Sequence, residues 1–139
     1  MNALSEKTEI FEIEHVGETI IVTPLEGLGE FDFQRIETAA RIVLRLLEDP
    51  SVLNVVIDFH RIDYYGTTAF SFFIRLWKRV RNHRGRMVLC NLSDHGKQVL
   101  KISKLDQFWP VYPSREEAIV AVERWMRALG EEYETPSSP

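Results

Sequence analysis

The sequence predicts a single α/β domain built on a mixed, mostly parallel sheet. Short β-branched runs alternate with longer segments of helical period, and two strands separated by a short turn open the chain. Strands that alternate with helices favour parallel pairing, whereas the opening pair forms an antiparallel hairpin. With 139 residues, of which 45% are hydrophobic, the chain can bury a core in one domain.

Each predicted element is bounded by a turn or capping signal. The opening hairpin turns at 15–18, and Asp49-Pro50 ends the first helix. Gly85 is expected to be the left-handed cap that follows the second long helix. In order, the elements are strands 10–14 and 19–23, helix 33–47, strand 52–59, helix 67–82, strand 87–91, helix 93–102, a final strand 108–111 and helix 114–129.

The two ends of the chain are predicted to lie outside the folded domain. Residues 1–9 are polar and of mixed charge, and are expected to be flexible. The capping box Ser114-Arg115-Glu116-Glu117 opens the last helix, and Gly130 is expected to end it. Residues 130–139 are acidic and carry proline and serine, which is typical of a disordered tail. The folded domain is therefore predicted to span 10–129.

Composition excludes several classes of function. A net charge of −4 lacks the basic footprint of a nucleic-acid-binding protein. No apolar run approaches the ~18–20 residues that a membrane span needs, and the N-terminus is not a secretory signal. Cys90 is the only cysteine, which agrees with a reducing cytosol. We expect a cytoplasmic protein that does not insert into a membrane.

Catalytic and metal-binding patterns are absent from the sequence. The four histidines have no metal-ligand spacing, and Cys90 lies in an apolar strand, where an inert thiol is expected. No phosphate-binding or nucleophile motif occurs. Asp58 and Asp63 are close enough to suggest paired carboxylates, but turn hydrogen bonds explain both more simply. We therefore expect no enzymatic activity, no cofactor and no metal.

The most informative segment is the turn Asp63-Tyr64-Tyr65-Gly66-Thr67-Thr68. It follows a buried strand and precedes a helix, which places it at the carboxyl edge of the sheet. The hydroxyl of Thr67 or Thr68 can cap that helix. Two adjacent tyrosines at a turn offer a large contact area at low entropy cost.

The helix after this turn has an unusually wide apolar face. Phe72 and Ile74 extend the face to about 200° of arc, beyond the ~100° that a one-sided surface helix needs. The helix is either wedged between the sheet and a neighbouring helix, or it presents an apolar rim to a protein partner. The cations near its end are either a solvated helix terminus or a surface for an acidic partner. The centre of the apolar face comprises Ala69, Phe73, Leu76, Trp77 and Val80, and the cations are Lys78, Arg79, Arg81, Arg84 and Arg86.

These motifs together resemble the STAS domain of bacterial anti-sigma factor antagonists and of sulfate transporters. The resemblance runs from about Ile10 to Leu129 and includes Asp-x-x-Gly at 63–66, the strand 87–91 after Gly85, and Ser93 before a short helix. It implies a four- or five-stranded mixed sheet with helices mainly on one face, and no enzymatic activity. It also implies a protein partner, namely an anti-sigma factor that is a serine kinase of the histidine-kinase ATPase type.

The sequence departs from the family pattern at the residue that is phosphorylated in the antagonists. In the antagonists, the residue after the aspartate is a serine or threonine that the partner kinase phosphorylates, and this disrupts binding. Here that position is Tyr64, so the usual switch is expected to be absent; Thr67 and Thr68 are the nearest substitute acceptors. The predicted partner-binding residues are Asp63, Tyr64, Tyr65, Gly66, Thr67, Thr68 and Phe72.

Three functions remain open at this point. The first is a regulatory STAS module that docks an anti-sigma factor. The second is an accessory or scaffold subunit of a transporter or of an oligomeric signalling complex, including a homo-oligomer. The third is a domain that binds a small ligand or nucleotide at the carboxyl edge of the sheet.

Overall fold

The structure is a computed structural model that describes residues 5–7, 10–25, 33–62 and 67–134. The strands are β1 Ser5–Lys7, β2 Phe11–Val16, β3 Thr19–Pro24, β4 Asn54–Asp58, β5 Met87–Cys90 and β6 Val111–Tyr112. The helices are α1 Phe33–Leu46, α2 Thr67–Asn82, α3 Asp94–Ile102 and α4 Arg115–Glu134, with a 3-10 turn at Leu105–Gln107. No helix in these ranges has the length and hydropathy of a membrane span.

The strands of the described residues form one mixed sheet in the order β1-β2-β3-β4-β5-β6. The first three strands are antiparallel, and β3 to β6 pair in parallel. The turn of the β2–β3 hairpin is Gly17-Glu18, and Gly17 adopts a φ of 60° there. The predicted α/β class and mixed sheet are confirmed. The sheet was predicted to have four or five strands, and the short edge strand β1 brings the number among the described residues to six.

Helices cover both faces of the sheet, but unequally. Odd and even residues of a strand point to opposite faces, so β4 sends Val55 and Ile57 to one side and Val56 to the other. The first side forms the larger core, with α1, α2 and Leu100 of α3. On the second side, α4 is the one helix of the described residues that packs, through Ala118 and Val122. The expectation that helices lie mainly on one face is confirmed.

The ends of the chain differ from the predictions. Ser5–Lys7 pairs antiparallel with β2, so this part of the stretch 1–9 is a strand. α4 continues through Gly130 to Glu134, and the predicted end at Gly130 is wrong. A single glycine costs only about 1 kcal/mol in a helix, which the adjoining good helix formers can offset. Residues 135–139 of the predicted tail lie outside the described residues.

Gly85 is required for a reason other than the predicted one. The left-handed residue after α2 is Arg84, with a φ of 64°, and not Gly85. A Cβ added at Gly85 would lie 1.7 Å from the carbonyl oxygen of Leu53. The glycine therefore permits a close approach of two backbone segments, where no side chain fits.

Candidate functional site: the carboxyl edge of β4

The predicted docking turn lies mostly outside the described residues. This applies to Asp63, Tyr64, Tyr65 and Gly66. Thr67 and Thr68 are the first two residues of α2. What the structure defines is the support on either side of the turn, namely the end of β4 with the residues that follow it, and α2.

Phe72 belongs to the core and not to an exposed rim. Its side chain is 2% exposed and stacks on Phe11 of β2, with ring centroids 4.9 Å apart. Phe73 is also buried and contacts Phe72 at 5.6 Å. The expectation that Phe72 offers surface to a partner is therefore wrong. At this position the wide apolar face of α2 is explained by burial against the sheet, while Ile74 and Trp77 remain half-buried.

Asp58, the last residue of β4, is the centre of a polar cluster. It is 1% exposed, yet its carboxylate accepts hydrogen bonds from four directions. Oδ1 accepts from Asn91 Nδ2 at 2.9 Å and from the His60 backbone N–H at 3.0 Å, and it lies 3.0 Å from His60 Nδ1. Oδ2 accepts from Arg115 Nε at 3.0 Å. These contacts join β4, the end of β5 and the start of α4.

Arg115 extends the cluster across the sheet to β2 and β3. Besides Asp58, its guanidinium donates to Glu14 of β2 and to the Thr23 hydroxyl of β3 at 3.3 Å. The Ser114 hydroxyl accepts from the Glu117 backbone N–H at 3.1 Å, as the predicted capping signal requires. Arg115, the first residue of α4, is thereby hydrogen-bonded to the three strands β2, β3 and β4.

The pKa values of Asp58 and Arg115 are set by burial and by hydrogen bonding, which shift them in opposite directions. Burial by itself raises the pKa of the Asp58 carboxyl, because it disfavours the charged form. The hydrogen bonds from Asn91, the His60 backbone and Arg115 outweigh it, so this pKa lies below its ordinary value. For Arg115, burial lowers the pKa, but Glu14 and Asp58 raise it above its ordinary value. The pair is therefore charged at neutral pH.

The chain that leaves β4 toward the turn is held on both faces of the sheet. Asp58 anchors it on the α4 side. On the other side Phe59 is buried, packs edge-on against Phe73 at 5.6 Å, and donates its N–H to the Cys90 carbonyl at 3.0 Å. The approach to the turn is thus held by contacts on both faces of the sheet.

The sequence indicated Asp58 but not its partners. The predicted turn hydrogen bond is present, from the His60 N–H, yet it is one contact of several. A carboxylate that directly follows a run of buried residues needs a cation, and Arg115 in the capping segment supplies it. The other signal was Asn91, a polar residue at the end of the apolar run that forms β5; in the structure its backbone is left-handed, with a φ of 58°.

The other polar candidates give no catalytic arrangement in the described part of the chain. No three His, Cys, Asp or Glu side chains converge there as metal ligands would. Burial raises the pKa of the Cys90 thiol to about 12, and the nearby Asp58 carboxylate adds to the shift. The thiol is therefore protonated at neutral pH, and a protonated thiol is a poor nucleophile.

The chain belongs to the STAS domain family. The family model for the STAS domain matches residues 11–118, which include every strand except β1 and extend into the start of α4. The resemblance noted from the sequence is thereby confirmed. The Asp58 cluster and the flanks of the turn all lie within the matched region.

Similar proteins are anti-sigma factor antagonists and other STAS proteins. The chain is 34% identical to BtrV of Bordetella bronchiseptica, named as an anti-sigma factor antagonist, over 73 residues, which make up 52% of this chain and 63% of that relative. The match thus spans less than two thirds of the relative.

Three solved structures share the fold. An anti-sigma-factor antagonist (STAS) domain protein from Planctomyces limnophilus has a TM-score of 0.66 and 22% identity, covering 81% of this chain and 97% of its own. The anti-sigma factor antagonist SpoIIAA matches in its unphosphorylated form, with a TM-score of 0.70, 20% identity, and coverage of 81% and 96%. SpoIIAA from Bacillus also matches in its phosphorylated form, with a TM-score of 0.65, 20% identity, and coverage of 81% and 98%.

Proposed function

We propose that this chain is a regulatory, non-enzymatic STAS module that binds an anti-sigma factor through the turn 63–68. The observation that carries the proposal is the doubly anchored end of β4, where Asp58 and Phe59 fix the chain that leads into the turn. A turn held on a rigid support loses little entropy when a partner binds, which favours its use as a docking surface. We place the protein in the cytoplasm.

The partner class follows from the family. The resemblance implies an anti-sigma factor that is also a serine kinase of the histidine-kinase ATPase type. Tyr64 and Tyr65 are proposed as the main contacts, because tyrosine is enriched among the residues that dominate binding energy. Asp63 and Gly66 are proposed as further residues of the contact surface, together with Thr67 and Thr68, which begin α2. Phe72 supports α2 from the core and is excluded from the contact set.

The proposed regulation differs from that of relatives with a serine acceptor. SpoIIAA exists in an unphosphorylated and a phosphorylated form. Here Tyr64 stands where the family pattern has the acceptor hydroxyl, immediately after Asp63. A phenol projects its oxygen farther from the backbone than a serine does, out of the geometry that a serine kinase requires. We propose that the chain binds its partner without release by phosphorylation at this position.

Tyr64→Ala is expected to weaken partner binding by about 1–2 kcal/mol, or roughly 5- to 30-fold in Kd. The variant loses a large side chain that is proposed to contact the partner, whereas the described core residues are unchanged. The wild type and the variant serve as parallel baits, the shared partner is identified by mass spectrometry, and Kd is then measured by calorimetry. Ile42→Ala, which trims an exposed apolar residue on α1, is the control. Equal affinity of Tyr64→Ala and wild type would exclude Tyr64 as a contact.

Tyr64→Ser is expected to create a phosphoacceptor. It returns a small hydroxyl to the residue after Asp63, next to the N-terminus of α2, which favours the added phosphate by about 0.3–1 kcal/mol. Incubation with the partner kinase and ATP, followed by phosphopeptide mapping, should find phosphate at position 64 of the variant only. Tyr65→Ser, one residue out of register, is the matched control and should stay unmodified. Phosphate on Thr67 or Thr68 of the wild type would show that the switch has moved along the helix.

The runner-up functions predict different partners. An accessory subunit of a transporter would be captured with membrane components, and a signalling scaffold with further STAS proteins. A ligand-binding domain would show saturable binding of a nucleotide or metabolite without a protein partner. The same bait experiment, combined with light scattering of the purified protein, therefore distinguishes these functions from the proposed one.

A further inference from the structure

A second surface, at the other end of α2, has the composition of a protein-binding site. Trp77 and Phe108 form its apolar centre, with Arg81 over the Trp77 ring. Lys78 follows Trp77 on α2, and Lys101, Ile102 and Lys104 lie at the end of α3 and in the short segment that leads to Phe108; we call these seven residues the Trp77 patch. Ile102 is 79% exposed and Phe108 is 51% exposed. Exposed apolar side chains that neighbour an aromatic pair are typical of an interaction surface.

The apolar part of the patch is preorganised by the structure beneath it. Phe108 packs on Trp77 with ring centroids 5.1 Å apart, and the Arg81 guanidinium lies 4.4 Å from the centre of the Trp77 ring. Trp109, which is buried, packs edge-on against Trp77 at 6.4 Å. The backbone N–H groups of Phe108 and Trp109 both donate to the Leu105 carbonyl. Phe108 therefore points outward from a turn that is held in place by its hydrogen bonds and by the buried Trp109 side chain.

The cations of the patch differ from the other cations of α2 in their pairing. Arg75 and Arg79 pair with Glu37 and Glu48, at 2.9 and 3.6 Å. At about 100° per residue, these two lie on the side of α2 opposite Trp77, whereas Lys78 and Arg81 lie within about 100° of it. No described carboxylate lies within ion-pair distance of the four patch cations. Asp106, in the adjoining 3-10 turn, adds one negative charge beside the four cations. The surface therefore remains positive, although the chain has a net charge of −4.

We propose that the Trp77 patch docks an acidic, amphipathic segment of a partner protein. The exposed phenyl ring and isoleucine select an apolar anchor, and the unpaired cations select carboxylates around it. Nucleic acid fits less well, since Ile102 cannot stack on a base and four cations make a small footprint. Trp77 lies about 15 Å along the helix from Thr67. The patch is thus a surface separate from the proposed docking turn, and its test does not depend on that proposal.

The test uses a designed helical peptide of about 18 residues, with leucines on one face and glutamates on the other. Its twin carries glutamine in place of glutamate. We expect saturable binding of the acidic peptide in fluorescence anisotropy, with amide shifts in NMR confined to the end of α2 and to 101–109. The glutamine twin should bind at least about tenfold more weakly, and raising the salt from about 50 to about 300 mM should weaken binding of the acidic peptide.

A double variant and a matched control locate the binding site. Phe108→Ser/Lys101→Glu should weaken binding at least about tenfold, which corresponds to the loss of one central contact. Val120→Ser/Arg124→Glu makes the same kinds of change on the exposed side of α4 and should leave Kd within about twofold. All four positions are exposed or half-exposed, so thermal unfolding verifies that both variants fold.

Several results would overturn the proposal. These are no saturation of the acidic peptide at about 1 mM, equal binding to the double variant, or amide shifts outside the patch. Equal affinity for a single-stranded DNA of similar charge would show a nonspecific anion surface. A concentration-dependent dimer that Phe108→Ser/Lys101→Glu abolishes would make a second copy of this chain the occupant. Loss of binding to the double variant alone, with the control intact, supports the proposal.

Discussion

Asp58→Asn is expected to lower the free energy of unfolding by about 3–5 kcal/mol, the usual cost of breaking a buried ion pair from one side. The substitution keeps the shape of the side chain, and one oxygen remains to accept from Asn91 or from the His60 N–H. Its new amide, however, would face the Arg115 Nε–H that now donates to the carboxylate. Two donors would then point at each other, and Arg115 would keep only Glu14 and Thr23 as partners.

Urea denaturation at neutral pH measures the loss, and Asp49→Asn is the matched control. Asp49 also accepts turn hydrogen bonds, from the Ser51 backbone and hydroxyl at 2.9 Å, but it is exposed. Its replacement should cost far less than that of Asp58. The double variant Asp58→Asn/Arg115→Met completes a cycle that isolates the coupling between the two groups. If the two asparagine variants lose similar stability, the cluster is not a structural centre.

The contribution of Asp58 also depends on pH, with a sign set by its lowered pKa. An unfolded aspartate titrates near 3.9, and the folded Asp58 titrates below that value. Its stabilising effect is therefore complete above about pH 5 and is lost as the pH falls through the folded pKa. The stability gap between wild type and Asp58→Asn should stay constant from pH 8 to about 5 and narrow in stronger acid. A gap that widens on acidification would contradict the assigned charge state.

Local signals were sufficient to predict most of the fold. The β-branched runs at 52–59 and 87–91 correctly predicted buried parallel strands, because both faces of these strands are covered. The period of the apolar residues predicted α2 with its bounds at Thr67–Asn82, since one face of that helix packs on the sheet. Short elements were harder to predict. β1 is a three-residue edge strand whose pairing with β2 is not encoded in its own polar sequence.

The candidate site could be located from the sequence, but its support could not. The strand–turn–helix pattern indicates the carboxyl edge of β4, whereas the bond from Arg115 to Asp58 joins residues 57 positions apart. Such a contact depends on how α4 packs across the sheet, and no local pattern reports that. The error at Phe72 has a similar origin. Helical period shows which residues share an apolar face, but not how far the neighbouring β2 and its Phe11 cover that face.

Gly85→Ala is expected to lower the free energy of unfolding by at least about 3 kcal/mol, at the upper end of the cost of overpacking. The added methyl group would lie 1.7 Å from the Leu53 carbonyl oxygen, 2.7 Å from its carbonyl carbon and 2.9 Å from a Val80 methyl group. Val80 could rotate, but the Leu53 backbone cannot easily retreat. The N–H groups of Leu53 and Asn54 both donate to the Glu18 carbonyl, at 2.8 and 3.0 Å.

Gly17→Ala is the matched control. Gly17 is needed for its positive φ and Gly85 for the lack of space around it, so the two variants separate these two effects. Gly17 has a φ of 60°, yet no atom lies within 4 Å of the Cβ position, so alanine there pays only the left-handed backbone cost of about 1–2 kcal/mol. Gly85 has an ordinary φ but no space. Chemical denaturation of both variants should therefore show the larger loss at Gly85. If Gly17→Ala were the more damaging, the close approach of Leu53 to Gly85 would have to be absent in solution. The chain would then enter β5 along a path different from the one described.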